Sequence, residues 1–195
     1  MNKKITLPDG TKLQAKFLGA GAFARCYLAE DGFVYSFLKM DTREFDFSKE
    51  GIALFSTCEN SHMPKIESLG EDDEENRVYK SEYYPNKLTT KNKQAWRDYK
   101  LLAQIAKESI INDGMHKGYD TNVKIITKAR ELGLKESILE ALESINVALT
   151  NYDLTYCFEF RPCNLKVSDD GELILLDVIF NKKALSQKLN KRLHK

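Results

Sequence analysis

Cysteine is scarce in this chain, and its four copies, Cys26, Cys58, Cys157 and Cys163, show no paired C-x-x-C spacing. That spacing argues against a disulfide framework or a zinc site, and the thiols read as reduced and cytosolic. An excess of one charge is also missing. Lys and Arg number 30 against 29 Asp and Glu, a net of +1, so no strong pull toward nucleic acid or a membrane surface is expected. No apolar run is long enough to span a bilayer, and Met1-Asn2-Lys3-Lys4-Ile5 carries no signal-peptide core. Internal repeats and tail-like low-complexity stretches are absent as well. What remains is 195 residues, enough for one compact domain or two small lobes with a real core.

Residues 3–39 alternate apolar and polar, with turn signals at Pro8-Asp9-Gly10 and Asp31-Gly32, and predict strands joined by hairpins. A short helical pattern follows at 44–56. Pro64 and Gly70 punctuate the next stretch, the acidic run Glu71 to Glu75 reads as a solvated turn, and Arg77 to Tyr84 predicts another strand. From about residue 91 the period becomes helical. Trp96, Tyr99, Leu101, Leu102, Ile105 and Ala106 share one face; Val123 to Leu132 gives a shorter helix ended by Gly133; Ile138, Leu139, Leu142, Ile145, Val147 and Leu149 mark a third. Strands return at 164–168 and 172–177 around Asp169-Asp170-Gly171. The expectation is α+β: a β-rich part over 1–85 and a reduced helical part over 86–195, meeting at a cleft near residue 85.

Five segments carry chemistry. Leu18-Gly19-Ala20-Gly21-Ala22-Phe23-Ala24 is a glycine-containing loop between two strands, where backbone N–H groups could approach phosphate oxygens with no Cβ in the way. An ordinary hairpin with small residues is the plain alternative, and a Rossmann reading fails because a strand, not a helix, follows. Lys39 ends an apolar strand pattern, Val34 to Leu38. Glu50, or else Glu44, could pair with it from the helical stretch, although Gly51 costs a helix interior about 1 kcal/mol relative to Ala. Val78 to Pro85 is a half-buried strand running into a Pro. Finally, Glu159-Phe160-Arg161-Pro162-Cys163-Asn164 stands before the hairpin at Gly171, with Asp177 just beyond it. Asn164 and Asp177 offer the hard oxygen ligands that Mg²⁺ prefers, and Arg161 offers a permanent positive charge.

Taken in order, these segments resemble a protein kinase over about residues 10–180. The resemblance implies a two-lobed kinase-like fold binding ATP and Mg²⁺. Gly19, Ala20, Gly21, Ala22 and Phe23 would cover the phosphates. Lys39 would hold them, with Glu50 orienting it. The backbone of Glu82 to Tyr84 would pair with adenine. Glu159 would stand at the catalytic carboxylate, Arg161 at the phosphate-contacting base, and Asn164 and Asp177 at the metal.

The chain also departs from that pattern. Glu159 is one methylene longer than the family's Asp, and a displacement of that order can cost about a hundredfold in rate. Ala24 replaces the third loop glycine. Asp-Phe-Gly becomes Asp177-Val178-Ile179, and Cys157 stands where the loop His usually does. Only 18 residues follow Asp177, too few for a full activation loop and the later helices. Minimal kinases among bacteriophage early proteins are the nearer likeness. They imply a serine/threonine kinase acting on host proteins, including transcription machinery, in the host cytoplasm. A pseudokinase that binds a host factor without transfer is the alternative, and a small-molecule kinase of aminoglycoside-phosphotransferase type is a third reading. The basic stretch Lys182 to Leu193, with Leu185, Leu189 and Leu193 four residues apart, predicts a helix packed with its basic side outward, contact with an acidic partner or nucleic acid being the alternative.

Overall fold

In a computed structural model, residues 2–21, 24–38, 60–113, 118–149 and 156–181 are described. The expected helix at 44–56 and the basic stretch 182–193 lie outside them. The chain divides into two compact units, residues 1–57 with 65–83, and residues 58–64 with 84–195.

The first unit is a six-stranded antiparallel sheet. Its strands are β1 (Asn2–Thr6), β2 (Lys12–Ala20), β3 (Ala24–Ala29), β4 (Val34–Leu38), β5 (Ile66–Glu71) and β6 (Arg77–Ser81), in the order β1-β2-β3-β4-β6-β5. Local turn chemistry sets the first register. Gly10 N–H donates to Leu7 and Gly32 N–H to Ala29, at 2.9 and 3.0 Å, and both glycines take positive φ, 83° and 85°. A residue with a Cβ resists that backbone, so Asp-Gly places each bend. Asp9 and Asp31 finish the turns by accepting from the N–H of Thr11 and Phe33. Two apolar groups cover opposite faces of this sheet. Ile5, Leu7, Ala15, Tyr27, Ala29, Tyr35 and Val78 form one, and Leu38, Ile66 and Tyr79 the other.

The acidic run is a turn built on Asp72, whose carboxylate accepts from the N–H of Glu74 and Asn76 and from the Asn76 amide. Strand β5 carries no clean alternation. Gly70 breaks its register with β6 at φ 95°, which explains why the sequence pattern passes over it.

The second unit holds α1 (Lys93–Asp113), α2 (Gly118–Glu131) and α3 (Glu136–Leu149). Helix α2 starts five residues before the predicted Val123. Val123, Leu132 and Val147 are exposed, whereas Ile125, Ile126 and Ala129 are buried. Gly133, φ 76°, ends α2 with paired bonds from Leu134 N to Ala129 O and from Gly133 N to Arg130 O. Short strands complete the unit: β7 (Asn86–Lys87), β9 (Leu165–Val167) and β10 (Leu173–Leu175) in the order β10-β9-β7, and β8 (Tyr156–Phe158) paired with β11 (Ile179–Asn181). The β9–β10 hairpin repeats the Asp-Gly turn of the first unit, with Gly171 at φ 83° donating to Ser168 O at 3.0 Å. The α+β class and the reduced helical part are therefore as expected from the sequence. No helix among the described residues is long and apolar enough to cross a membrane.

Candidate active site

Strand β8 delivers its chain directly into Glu159. The next bend is a single 3-10 turn, Pro162–Asn164, entered from Arg161 in extended conformation. Proline suits the first position of such a turn because its missing N–H has no partner to lose there. Asn164 N–H closes the turn on Arg161 O at 2.9 Å. The β9–β10 hairpin then brings the chain back. Leu176 N–H and Asp177 N–H both donate to the Asn164 carbonyl, at 3.1 and 3.2 Å. Positions 164 and 177 thus share a backbone junction although 13 residues separate them. One residue further, Val178 O accepts from Glu159 N–H at 2.8 Å. The ion pair between Arg161 Nη2 and Glu159 Oε1 spans 2.7 Å, with the Arg side chain 64% and the Glu side chain 25% exposed.

The structure therefore brings Glu159, Arg161, Asn164 and Asp177 together on one loop and its return. Asn164 and Asp177 are both half-buried. Among the described residues no group of three or more His, Cys, Asp and Glu side chains forms a metal cage. Asn164 and Asp177 offer an amide and a carboxylate oxygen, ligand types that Mg²⁺ prefers. The Cys163 thiol points a weak hydrogen bond at Asn164 Oδ1, 3.3 Å away.

Three of the other predicted residues lie at the glycine loop of the first unit. Gly19 heads a cross-strand row with Cys26, Ser36 and Tyr79, and Ala20 falls in the next row with Arg25, Phe37 and Val78, on the opposite face. The Gly21 N–H is used within the hairpin, donating to Ala24 O at 2.9 Å. Neither Gly19 nor Gly21 has positive φ, and a Cβ built on either meets nothing within 4 Å among the described residues. The fold itself therefore makes no demand for glycine at 19 or 21, and space for a close ligand is open there. Glu82 belongs to the first unit and Tyr84 to the second, on the segment after β6. Ala22, Phe23, Lys39 and Glu50 lie outside the described residues, as does Glu44.

Two side chains passed over in the sequence hold the loop from behind. His62 is fully buried. Its carbonyl accepts from Leu175 N–H, while Nδ1 meets Leu173 O at 2.7 Å and Nε2 meets Ser137 Oγ at 2.8 Å. A neutral ring with the proton on Nδ1 satisfies both contacts, Ser137 donating to Nε2. Burial pushes the imidazole below its usual range, against the Leu173 carbonyl and nearby Glu172, which favour the charged form. Asp98 on α1 is also buried. Desolvation raises its carboxyl, opposed chiefly by the bond from Gln94 Nε2. Asn122 on α2 is the second holder. Its Nδ2 donates to Tyr156 O at 3.1 Å, and its Oδ1 accepts from Phe158 N–H at 2.9 Å. The only sequence signal for Asn122 is a polar residue on the helix face that carries Ile125, Ile126 and Ala129; starting the helix at Val123 hides it.

Neither a protein-family profile nor a curated protein matches the chain. Solved structures do overlay on it. The streptomycin–ATP ternary complex of APH(2'')-IIa matches at 17% identity and TM-score 0.38, covering 82% of this chain and 63% of its own. ADP-bound aminoglycoside phosphotransferase APH(2'')-Ib matches at 15% identity and TM-score 0.38 with the same coverages. Vaccinia related kinase 3 matches at 10% identity and TM-score 0.39, covering 92% of this chain and 52% of its own. The chain thus spans under two thirds of the length of each of these structures.

Proposed function

We propose that this chain is a minimal protein-kinase-like phosphotransferase that uses ATP and Mg²⁺. The observation that carries the reading is the Asn164 carbonyl, which accepts from both the Leu176 and Asp177 N–H groups and so joins the backbone of the two candidate oxygen ligands, on the same loop that carries the Glu159–Arg161 pair. Phosphoryl transfer asks a protein for positioned charge more than for covalent chemistry, and these four residues offer it. Asn164 and Asp177 would hold Mg²⁺, which with ATP supplies neutralising charge at the phosphate oxygens. Glu159 would orient the acceptor hydroxyl and take its proton. Arg161 would stabilise charge on the moving group. Gly19, Gly21 and Lys39 would hold the nucleotide, with Glu50 orienting the lysine.

The acceptor in this reading is a serine or threonine of a host protein in the host cytoplasm, transcription machinery included. That refinement rests on the likeness to phage early kinases. A second reading, a pseudokinase that binds without transfer, is favoured by one observation. Arg161 already occupies Glu159 at 2.7 Å, which competes with a substrate hydroxyl for that carboxylate.

The test is incubation of the purified protein with γ-labelled ATP, Mg²⁺ and a bacterial lysate, beside Asp177→Ala. Label in lysate proteins with the wild type alone supports the enzyme. Nucleotide-dependent thermal stabilisation without label supports the pseudokinase. With neither label nor stabilisation, the enzyme reading fails. Label in a protein-free lysate filtrate instead would identify a small-molecule acceptor.

A further inference from the structure

We propose that Asn122 is a positioning residue that sets the Glu159 carboxylate by standing in for a missing strand; the catalytic consequence rests on the kinase reading above. Strand β8 is only three residues long and among the described residues has one strand partner, β11. Backbone groups along a strand point alternately to its two edges. Glu159 N–H points toward β11 and finds Val178 O. The carbonyl of Tyr156 and the N–H of Phe158 point the other way, where no strand among the described residues lies. All three β8 residues are buried, so water is a poor substitute partner.

Asn122 fills that edge. A carboxamide presents one donor and one acceptor at nearly the spacing of a peptide group, and Asn122 uses both, on residues 156 and 158. Its side chain has no exposed surface, so both bonds act in a low-dielectric setting. Helix α2 is thereby locked to the residue immediately before Glu159. No aliphatic side chain can make either bond. Aspartate keeps the acceptor for Phe158 but sets an oxygen against the Tyr156 carbonyl.

If Asn122 acts through Glu159, its loss matters only while Glu159 is at work. Misplacing a catalytic group by about 1 Å costs about a hundredfold. Asn122→Leu therefore lowers kcat by about 10- to 100-fold with the KM for ATP little changed, and Asn122→Asp by less. In a Glu159→Gln background, Asn122→Leu changes kcat by under about threefold. Equal losses in both backgrounds, or a loss that merely follows the folded fraction measured by circular dichroism, would overturn the assignment. Hydrogen exchange gives a readout free of catalysis, and Asn122→Ala, which removes both bonds and adds no bulk, serves it should Asn122→Leu fold poorly. The Phe158 and Glu159 amides are slow in the wild type. Both quicken in the variant while the α1 and α3 amides hold; unchanged protection at 158 and 159 refutes the clamp. A wild type without any phosphoryl transfer defeats the kinase reading instead, and the clamp then stands or falls on exchange alone.

Discussion

Replacing His62 by leucine tests the packing behind the loop at 159–165. The imidazole donates from Nδ1 to the Leu173 carbonyl and accepts on Nε2 from Ser137, and the ring is wholly buried. Leucine has similar bulk and neither polar atom. Each lost bond is worth about 1 kcal/mol net, and an orphaned buried carbonyl costs a further 1–3 kcal/mol or so. Ser137 is half-buried and can turn to water, so the orphan penalty falls mainly on Leu173. The sum is about 3–5 kcal/mol, a large part of the roughly 5–15 kcal/mol that holds a typical domain folded. Urea unfolding at pH 7.5 reads it as a lower midpoint with an unchanged slope.

The same residue gives the loss a pH signature. Its folded pKa lies below the usual 6.5, so between the two values the unfolded chain binds more protons. Stability due to neutral His62 is present above pH 6.5 and is lost as the pH falls through the unfolded value. Linkage caps this at about 1.4 kcal/mol by pH 5.5, reached only if the folded ring stays neutral there. The charged groups bearing on the ring are Glu172 at 3.7 Å, Lys135 and Asp98. The gap between wild type and His62→Leu should therefore shrink from pH 7.5 to 5.5. A gap below about 1 kcal/mol at pH 7.5, or one that widens on acidification, refutes the bonding pattern described.

Three further outcomes follow from the same geometry. Gly171→Ala forces a Cβ onto φ 83° and should cost about 1–2 kcal/mol in thermal or urea unfolding, whereas Gly19→Ala meets open space and should leave stability alone while weakening nucleotide binding by titration calorimetry. Arg161→Ala removes a largely exposed ion pair, so stability should move by less than about 1 kcal/mol, yet phosphoryl transfer should fall about 10²- to 10³-fold. Asp98 has a raised folded pKa, so its charged form opposes folding at neutral pH; Asp98→Asn should raise the urea midpoint at pH 7, with the gain fading toward pH 3.

Sequence legibility in this protein follows the range of the forces involved. The three Asp-Gly hairpins were readable because a positive-φ glycine and an Asp or Ser side chain act within four residues. The helices were readable because their buried faces repeat, although exposed Val123 and Val147 show that an apolar residue can stand in the pattern and stay on the surface. Strands of two or three residues such as β7, β8 and β11 carry no period at all. Their identity comes from partners far along the chain, as with Ile179 opposite Phe158.

The candidate site divides along the same line. Residue types legible as chemistry, Glu159, Arg161, Asn164 and Asp177, sit within 19 residues of one another and are joined by one carbonyl and one ion pair. What fixes them is not legible, because His62 and Asn122 bond to main-chain atoms of Leu173, Tyr156 and Phe158, and a main-chain carbonyl looks the same under any side chain. That asymmetry bears on the longer Glu159. An extra methylene matters only against a fixed backbone, and here the backbone is fixed on both edges: by Val178 at residue 159, and by Asn122 at residues 156 and 158. Within that frame the carboxylate meets the Arg161 guanidinium, and a substrate hydroxyl would compete with it. Arg161→Ala decides between them, since a kinase loses its charge stabiliser and slows, whereas a carboxylate held out of use by Arg161 would be released and the transfer would rise.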